Sequence, residues 1–296
     1  MKKVIFLIFA ILITLMILVD AMYASDVKIS KEKVKQGEFF EINIEGVGYK
    51  DAFTITFQKR KYLSAPGVSA VSHRVVIPVD VFDSPGDAEI LLESKYEIPL
   101  PRKIFIEKAD FEESDKINSV KPLSGSELKR YQKEQDILSA IYRKTTRYPF
   151  FITIDEPFFG SPLETKAEIS SPFGFIRKRK VGKSQKVEKV SHGGIDYSVP
   201  NGTKIFASET GIVRLAQELV NAGNTVIIDH GYNVFSVYMH LSQVFVSEGD
   251  VVWRGDEIAL SGNTGRVTGA HLHFGMKVWN TWVDPKYFLQ FMGGSK

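Results

Sequence analysis

The chain has 296 residues, a formal net charge of +3, six His and no Cys. That length accommodates about two domains of ~150 residues, and 44% hydrophobic with 25% charged residues is ordinary globular composition. Zero Cys excludes a disulfide scaffold, Cys-ligated zinc, iron–sulfur clusters and a thiol nucleophile, and 38 basic against 35 acidic residues is too even to point to nucleic acid as a partner.

The chain opens Met1-Lys2-Lys3, runs apolar from Val4 to Val19 apart from Thr14, and continues Asp20-Ala21-Met22-Tyr23-Ala24-Ser25. A basic start, an apolar stretch and small residues after it read as an export signal over residues 1–25. It is either cleaved or kept as a membrane anchor through residues 4–19. Both outcomes place the remainder outside the cytoplasm, in the periplasm or at the cell surface.

Residues 26–112 read as a small β-sandwich. Strands are predicted at Phe39–Glu45, Phe53–Phe57, Val75–Val81 and Lys103–Glu107 from alternating apolar and polar side chains. Gly37, Gly46-Val47-Gly48, Pro66-Gly67 and Pro85-Gly86 punctuate them as turns. His73 is read as an ordinary strand residue. Residues 113–149 form a linker with one helix, in which Ser124 and Glu127 fit a capping box. Leu128, Tyr131, Leu138, Ile141 and Tyr142 then recur at helical spacing. That helix either packs on a neighbouring domain or positions the first domain over a site.

Residues 150–296 read as a compact antiparallel β domain. Seventeen of the 23 Gly fall after residue 159, between strand candidates at Thr225–Asp229, Val234–Met239, Asp250–Trp253 and Leu272–Val278. The run Arg177–Lys189 carries seven bases and one acid, and is read as a solvated loop with contact to an anionic polymer as the second reading. Gly182-Lys183-Ser184 is not a phosphate loop, because Arg177 stands where the earlier Gly is required.

Five of the six His lie between His192 and His273. In His271-Leu272-His273 the spacing of two puts both imidazoles on one face of a strand. In His192-Gly193-Gly194-Ile195-Asp196 the Gly pair argues against a helix and for a loop that bends until His and Asp converge. Imidazoles and a carboxylate suit zinc, which needs three protein ligands and an open position for catalysis. With His240 in Tyr238-Met239-His240-Leu241, four candidate His and one Asp are more than one metal needs, and the surplus fits acid–base work. His230 in Asp229-His230-Gly231 is read as a turn residue, and no His-Glu-x-x-His helix motif occurs.

Taken in order, these motifs resemble peptidase family M23, the lysostaphin-like and LytM-like zinc endopeptidases of peptidoglycan. The resemblance runs from about Ser170 to Leu289. It also includes Ser171-Pro172-Phe173-Gly174, Pro200-Asn201-Gly202-Thr203 and Gly262-Asn263-Thr264-Gly265. It implies a groove flanked by antiparallel sheets, with Zn2+ held by His192, Asp196 and His273. His240 and His271 would orient or deprotonate the water and stabilise the oxyanion, and the substrate would be the stem peptides of the wall. One departure is Gly275 after His273-Phe274, where the family usually has an acidic residue. A non-catalytic LytM-like factor that activates an amidase is the alternative. The first domain, outside the resemblance, is read as covering the groove or recruiting cell-envelope protein partners.

Overall fold

Alternating patterns dominate the sequence, and the chain is correspondingly mostly β. A computed structural model describes residues 26–47, 52–67, 71–95, 99–120, 122–143, 159–182 and 186–292, with 22 strands and two helices among them. The export-signal reading falls on residues 1–25, which lie outside the described residues. No helix among the described residues is long and apolar enough to cross a membrane.

The chain divides into two compact units. The first contains Phe40–Ile77, Asp87–Phe105 and the described residues up to Glu32. The strand Phe39–Glu45 occurs where alternation predicts it, and pairs antiparallel with Asp26–Ile29. Thr54–Phe57 lies between Arg60–Leu63 and Gly86–Glu93 in a second sheet. Phe40 from one sheet meets Phe57 from the other edge-on, with ring centroids 5.3 Å apart, so the two sheets share a core with Ile42, Ile44, Ile55 and Ile90. The strand expected at Val75–Val81 instead spans Ser72–Pro78, and Val79 then bonds to the Glu38 carbonyl and the Gly37 N–H, both at 2.9 Å. His73 is buried, its Nδ1 3.0 Å from the Ser64 hydroxyl.

The second unit contains Ile106 onward together with Lys33–Phe39 and Pro78–Gly86. Its main sheet orders the strands Glu168–Ser171, Ile195–Ser198, Leu272–Val278, Val234–Val244, Gly223–Asp229, Gly211–Leu219 and Val251–Val252. Glu257–Ser261 branches from Val234–Val244 and carries Lys204–Phe206. Every residue of Leu272–Val278 is buried, as a strand covered on both faces requires.

Part of that cover is the helix Gly125–Arg143. Its capping box forms as the spacing predicts: the Glu127 N–H donates to Ser124 Oγ at 3.3 Å, and the Ser124 N–H to Glu127 Oε2 at 2.7 Å. Tyr142, with Leu138 and Ile141 beside it, packs on Leu215, Leu219, Ile227, Phe235 and Val237. Buried Glu134 accepts from the Val220 N–H at 3.0 Å and from Arg130 Nε at 2.9 Å. The helix therefore docks on the sheet of its own unit.

Both ends of the basic run are strand rather than loop. Ile176–Val181 and Glu188–Ser191 form an antiparallel hairpin, and Glu113–Val120 adds to it in parallel. Cross-strand ion pairs offset the crowding of like charges: Glu113 lies 3.0 Å from both Lys178 and Lys189, and Arg179 lies 3.6 Å from Glu188.

Candidate metal centre

The pairing of Ile195–Ser198 with Leu272–Val278 sets Asp196 directly opposite His273, where side chains on one face come within contact distance. Asp196 Oδ1 lies 2.8 Å from His273 Nδ1. His192 enters from the end of the basic hairpin. Its Nδ1 is 2.8 Å from the Pro172 carbonyl, which can only accept, so Nδ1 carries the proton. Nε2 is left as a lone pair, 3.0 Å from Asp196 Oδ1 and 3.1 Å from His273 Nδ1.

Gly193 and Gly194 serve a different purpose from the one their sequence suggests. Neither adopts positive φ, so a left-handed bend is not what brings His192 and Asp196 together. They are small because other groups press on them. A Cβ on Gly194 would lie 2.5 Å from the Phe274 carbonyl oxygen and 2.8 Å from His273 Nε2. One on Gly193 would lie 2.8 Å from the Trp282 indole.

His240 reaches the site through a β-bulge. In the pairing of Gly223–Asp229 with Val234–Val244, Asn224 faces Leu241 and Val226 faces Tyr238. Met239 and His240 therefore oppose Thr225 alone. Met239 pairs with His273, so in a regular strand His240 would point to the far face. The extra residue, with His240 at φ +64°, re-aims the side chain. The His240 ring comes to 4.7 Å from that of His271 and 6.1 Å from that of His273. Its Nδ1 donates to the Thr264 carbonyl at 3.0 Å. His271 sits in an isolated bridge with Gly262 just before the strand. There Nδ1 donates to the Gly269 carbonyl at 2.9 Å, and Nε2 lies 3.7 Å from Asp196 Oδ1.

The electrostatics suit a cation. Burial opposes ionisation of Asp196, but the adjacent His192 and His273 rings outweigh it and hold the carboxyl well below the usual carboxylate range. Burial lowers His273, with Asp196 opposing, and pushes His240 down to about 4. These rings are neutral at neutral pH, the form that ligates. Tetrahedral ligands at zinc distances stand about 3.3 Å apart, close to the 2.8–3.1 Å separations of the three donor atoms. Two ring nitrogens and a carboxylate oxygen at that spacing could hold a divalent ion between them.

A family model for peptidase family M23 matches residues 190–285. This part of the chain is an M23 peptidase domain. It is 40% identical over 122 residues to the peptidoglycan DD-endopeptidase ShyA of Vibrio cholerae, covering 41% of this chain and 27% of that protein. It is 39% identical over 118 residues to the DD-carboxypeptidase/endopeptidase Mpg of Neisseria meningitidis, covering 40% and 26% respectively. The chain thus spans about a quarter of the length of these curated relatives. A solved structure from Pseudomonas aeruginosa assigned to peptidase M23 shares the fold, with a TM-score of 0.60 at 24% identity over 84% of this chain and 92% of that one.

The M23 domain also contains site neighbours that no motif marked. Trp282 stands edge-on to His273, with ring centroids 6.3 Å apart. Lys277 Nζ is held between two rings, 4.2 Å from that of Tyr142 and 4.4 Å from that of Trp282, and donates to Asn280 Oδ1 at 2.7 Å. Burial pushes this ammonium down to about 7, against the pull of Asp80. Arg177 was legible only as one base in a run, yet it reaches the ligands. His230 lies outside the site. It is fully buried, with Nδ1 donating to the Thr210 carbonyl and Nε2 accepting from Ser236, both at 2.8 Å.

Proposed function

We propose that the chain is a zinc-dependent metalloendopeptidase that hydrolyses peptide crosslinks of bacterial peptidoglycan. The observation that carries this reading is the triangle of His192 Nε2, Asp196 Oδ1 and His273 Nδ1, all within 3.1 Å of one another. Support for the substrate comes from the 40% identity to a peptidoglycan DD-endopeptidase. Zinc bound there supplies Lewis acidity and makes hydroxide available near neutral pH.

The chain's own residues do the rest. His240 and His271 each commit Nδ1–H to a backbone carbonyl, which leaves Nε2 of each ring as the nitrogen that can act as a base. One takes the proton of the attacking water and, once charged, returns it to the departing amine nitrogen. All five positions are occupied by the required side chains, which favours the enzyme over an amidase-activating factor. Export, with anchoring through residues 4–19 as one outcome, belongs to the same proposal and is supported by the basic, apolar and small-residue pattern of residues 1–25.

The test is mass spectrometry of purified crosslinked peptidoglycan after incubation with the zinc-loaded full chain. Uncrosslinked stem peptides are expected, and the bond cut is read from their masses. Crosslinks left intact by folded, zinc-loaded protein would overturn the enzymatic reading.

A further inference from the structure

The bases of the hairpin are unequally engaged. Successive strand residues face opposite ways, so Lys178 and its cross-strand partner Lys189 share one face, where both meet Glu113. Arg177 and Arg179 share the other. Arg179 pairs with Glu188 across the hairpin. Arg177, at the end nearest His192, has no such partner opposite it, since its cross-strand neighbour is Val190.

Its guanidinium turns to the metal centre instead. Nη2 donates to Ser171 Oγ at 2.8 Å, and that hydroxyl lies 3.2 Å from His192 Nδ1. The same nitrogen is 3.9 Å from Asp196 Oδ2, too long for a hydrogen bond. Asp196 Oδ1, the nearer acceptor to the histidines, is already engaged by His192 and His273. A guanidinium carries five N–H donors in a rigid fork matched to a carboxylate. One of the five is committed to Ser171, and 43% of the side chain is exposed. The guanidinium, whose carbon lies 5.7 Å from the centroid of the Phe175 ring, therefore keeps further N–H donors beside the ligand triangle on a partly exposed side chain.

We propose that Arg177 is a specificity-determining residue that takes a free carboxylate of the substrate close to the bond being cut. The proposal rests on the peptidase reading and deepens it. The site would prefer stem peptides whose α- or side-chain carboxylates are free over the same peptides with those groups amidated. Ser171 holds the arginine head in place and leaves the second edge of its fork for the substrate.

The test uses the zinc-loaded full chain and a crosslinked stem-peptide dimer in two forms, carboxylates free and carboxylates amidated. Arg177→Gln should raise KM for the free form about tenfold, a loss of about 1.4 kcal/mol, with kcat little changed. KM for the amidated form should stay within about twofold, and Arg177→Lys should fall between. Lys178→Gln removes the same charge from the opposite face and should leave both values unchanged. Equal effects of Arg177→Gln on the two dimers, or an equal effect of Lys178→Gln, would overturn the proposal. So would a tenfold loss of zinc affinity in Arg177→Gln, measured by chelator competition, because the arginine would then be supporting His192. Binding of both dimers to the slow-turnover His271→Ala protein, followed by calorimetry with and without Arg177→Gln, separates the two readings. A carboxylate preference there that Arg177→Gln abolishes upholds the role of Arg177 even if the wild-type chain cuts neither dimer. Failure of cleavage alone counts against the peptidase reading.

Discussion

Gly275→Ala tests whether the departure from the family pattern after His273-Phe274 has a steric cause. Gly275 lies inside the strand Leu272–Val278, opposite Val237, and its φ is not in the left-handed region. The backbone would accept alanine, and the lost freedom of the unfolded chain would favour it by about 0.5–1 kcal/mol. Space does not. The new Cβ would lie 2.6 Å from Cζ3 of Trp282 and 3.2 Å from the Gly193 carbonyl oxygen, where carbon atoms normally stand about 3.5–4.0 Å apart.

The indole must therefore move by about 1 Å, and it is restrained by Lys277 above its ring and by His273 at its edge. Overpacking of this kind costs about 1–3 kcal/mol. After the entropic gain, the expected net loss is about 1–2 kcal/mol, read as a lower urea midpoint at unchanged slope. A double-mutant cycle isolates the cause. Trp282→Leu alone should destabilise by about 2–4 kcal/mol through lost packing, and in that background Gly275→Ala should be neutral or stabilising. An equal cost of Gly275→Ala in both backgrounds would show that Trp282 is not what excludes a side chain at position 275.

Three further outcomes are expected. His273→Ala should abolish tight zinc binding in a chelator competition, whereas His271→Ala should keep the metal and slow turnover by about 10²–10⁴-fold; metal loss in His271→Ala would refute the division of roles. Burial holds His230 neutral down to about pH 4, while the unfolded chain's His takes up a proton near pH 6.5. Stability should therefore be full above about pH 6.5 and fall as pH drops towards 4, by about 2 kcal/mol at pH 5 from this residue. Urea titrations at pH 7.5 and 5 should show a smaller difference in His230→Gln. Finally, Ser124→Ala removes the helix cap at Glu127 N–H and should cost about 1 kcal/mol, with far less loss in Ser124→Asn.

Local pattern was enough for several of these elements. The alternation in Phe39–Glu45 and Leu272–Val278 and the Ser124–Glu127 capping box concern residues close in sequence, and the structure contains them at those positions. Strand ends were less legible. Val79–Val81 alternates like a strand, but the ladder stops at Pro78, and Val81 packs instead with Phe173 and Ile195 in the second unit. The basic run misled because solvation is the usual resting state of like charges, and Glu113, distant in sequence, is what lets Lys178 and Lys189 share one face of a hairpin.

The site divides in the same way. Residue types and short spacings brought forward His192, Asp196, His240, His271 and His273 as candidates, and the family resemblance supplied the expected ligand set and roles. Convergence depends on long-range pairing that no short window contains. The register of two strands sets Asp196 against His273, and one extra residue opposite Thr225 turns His240 to their side. Trp282, Lys277 and Arg177 carry no motif at all. Their roles come from what lies beside them: a ring over two glycines, a cation between two aromatics, and a guanidinium one hydroxyl away from His192. Chemistry resides in residue identity and can be read along the chain, whereas proximity is a property of the fold.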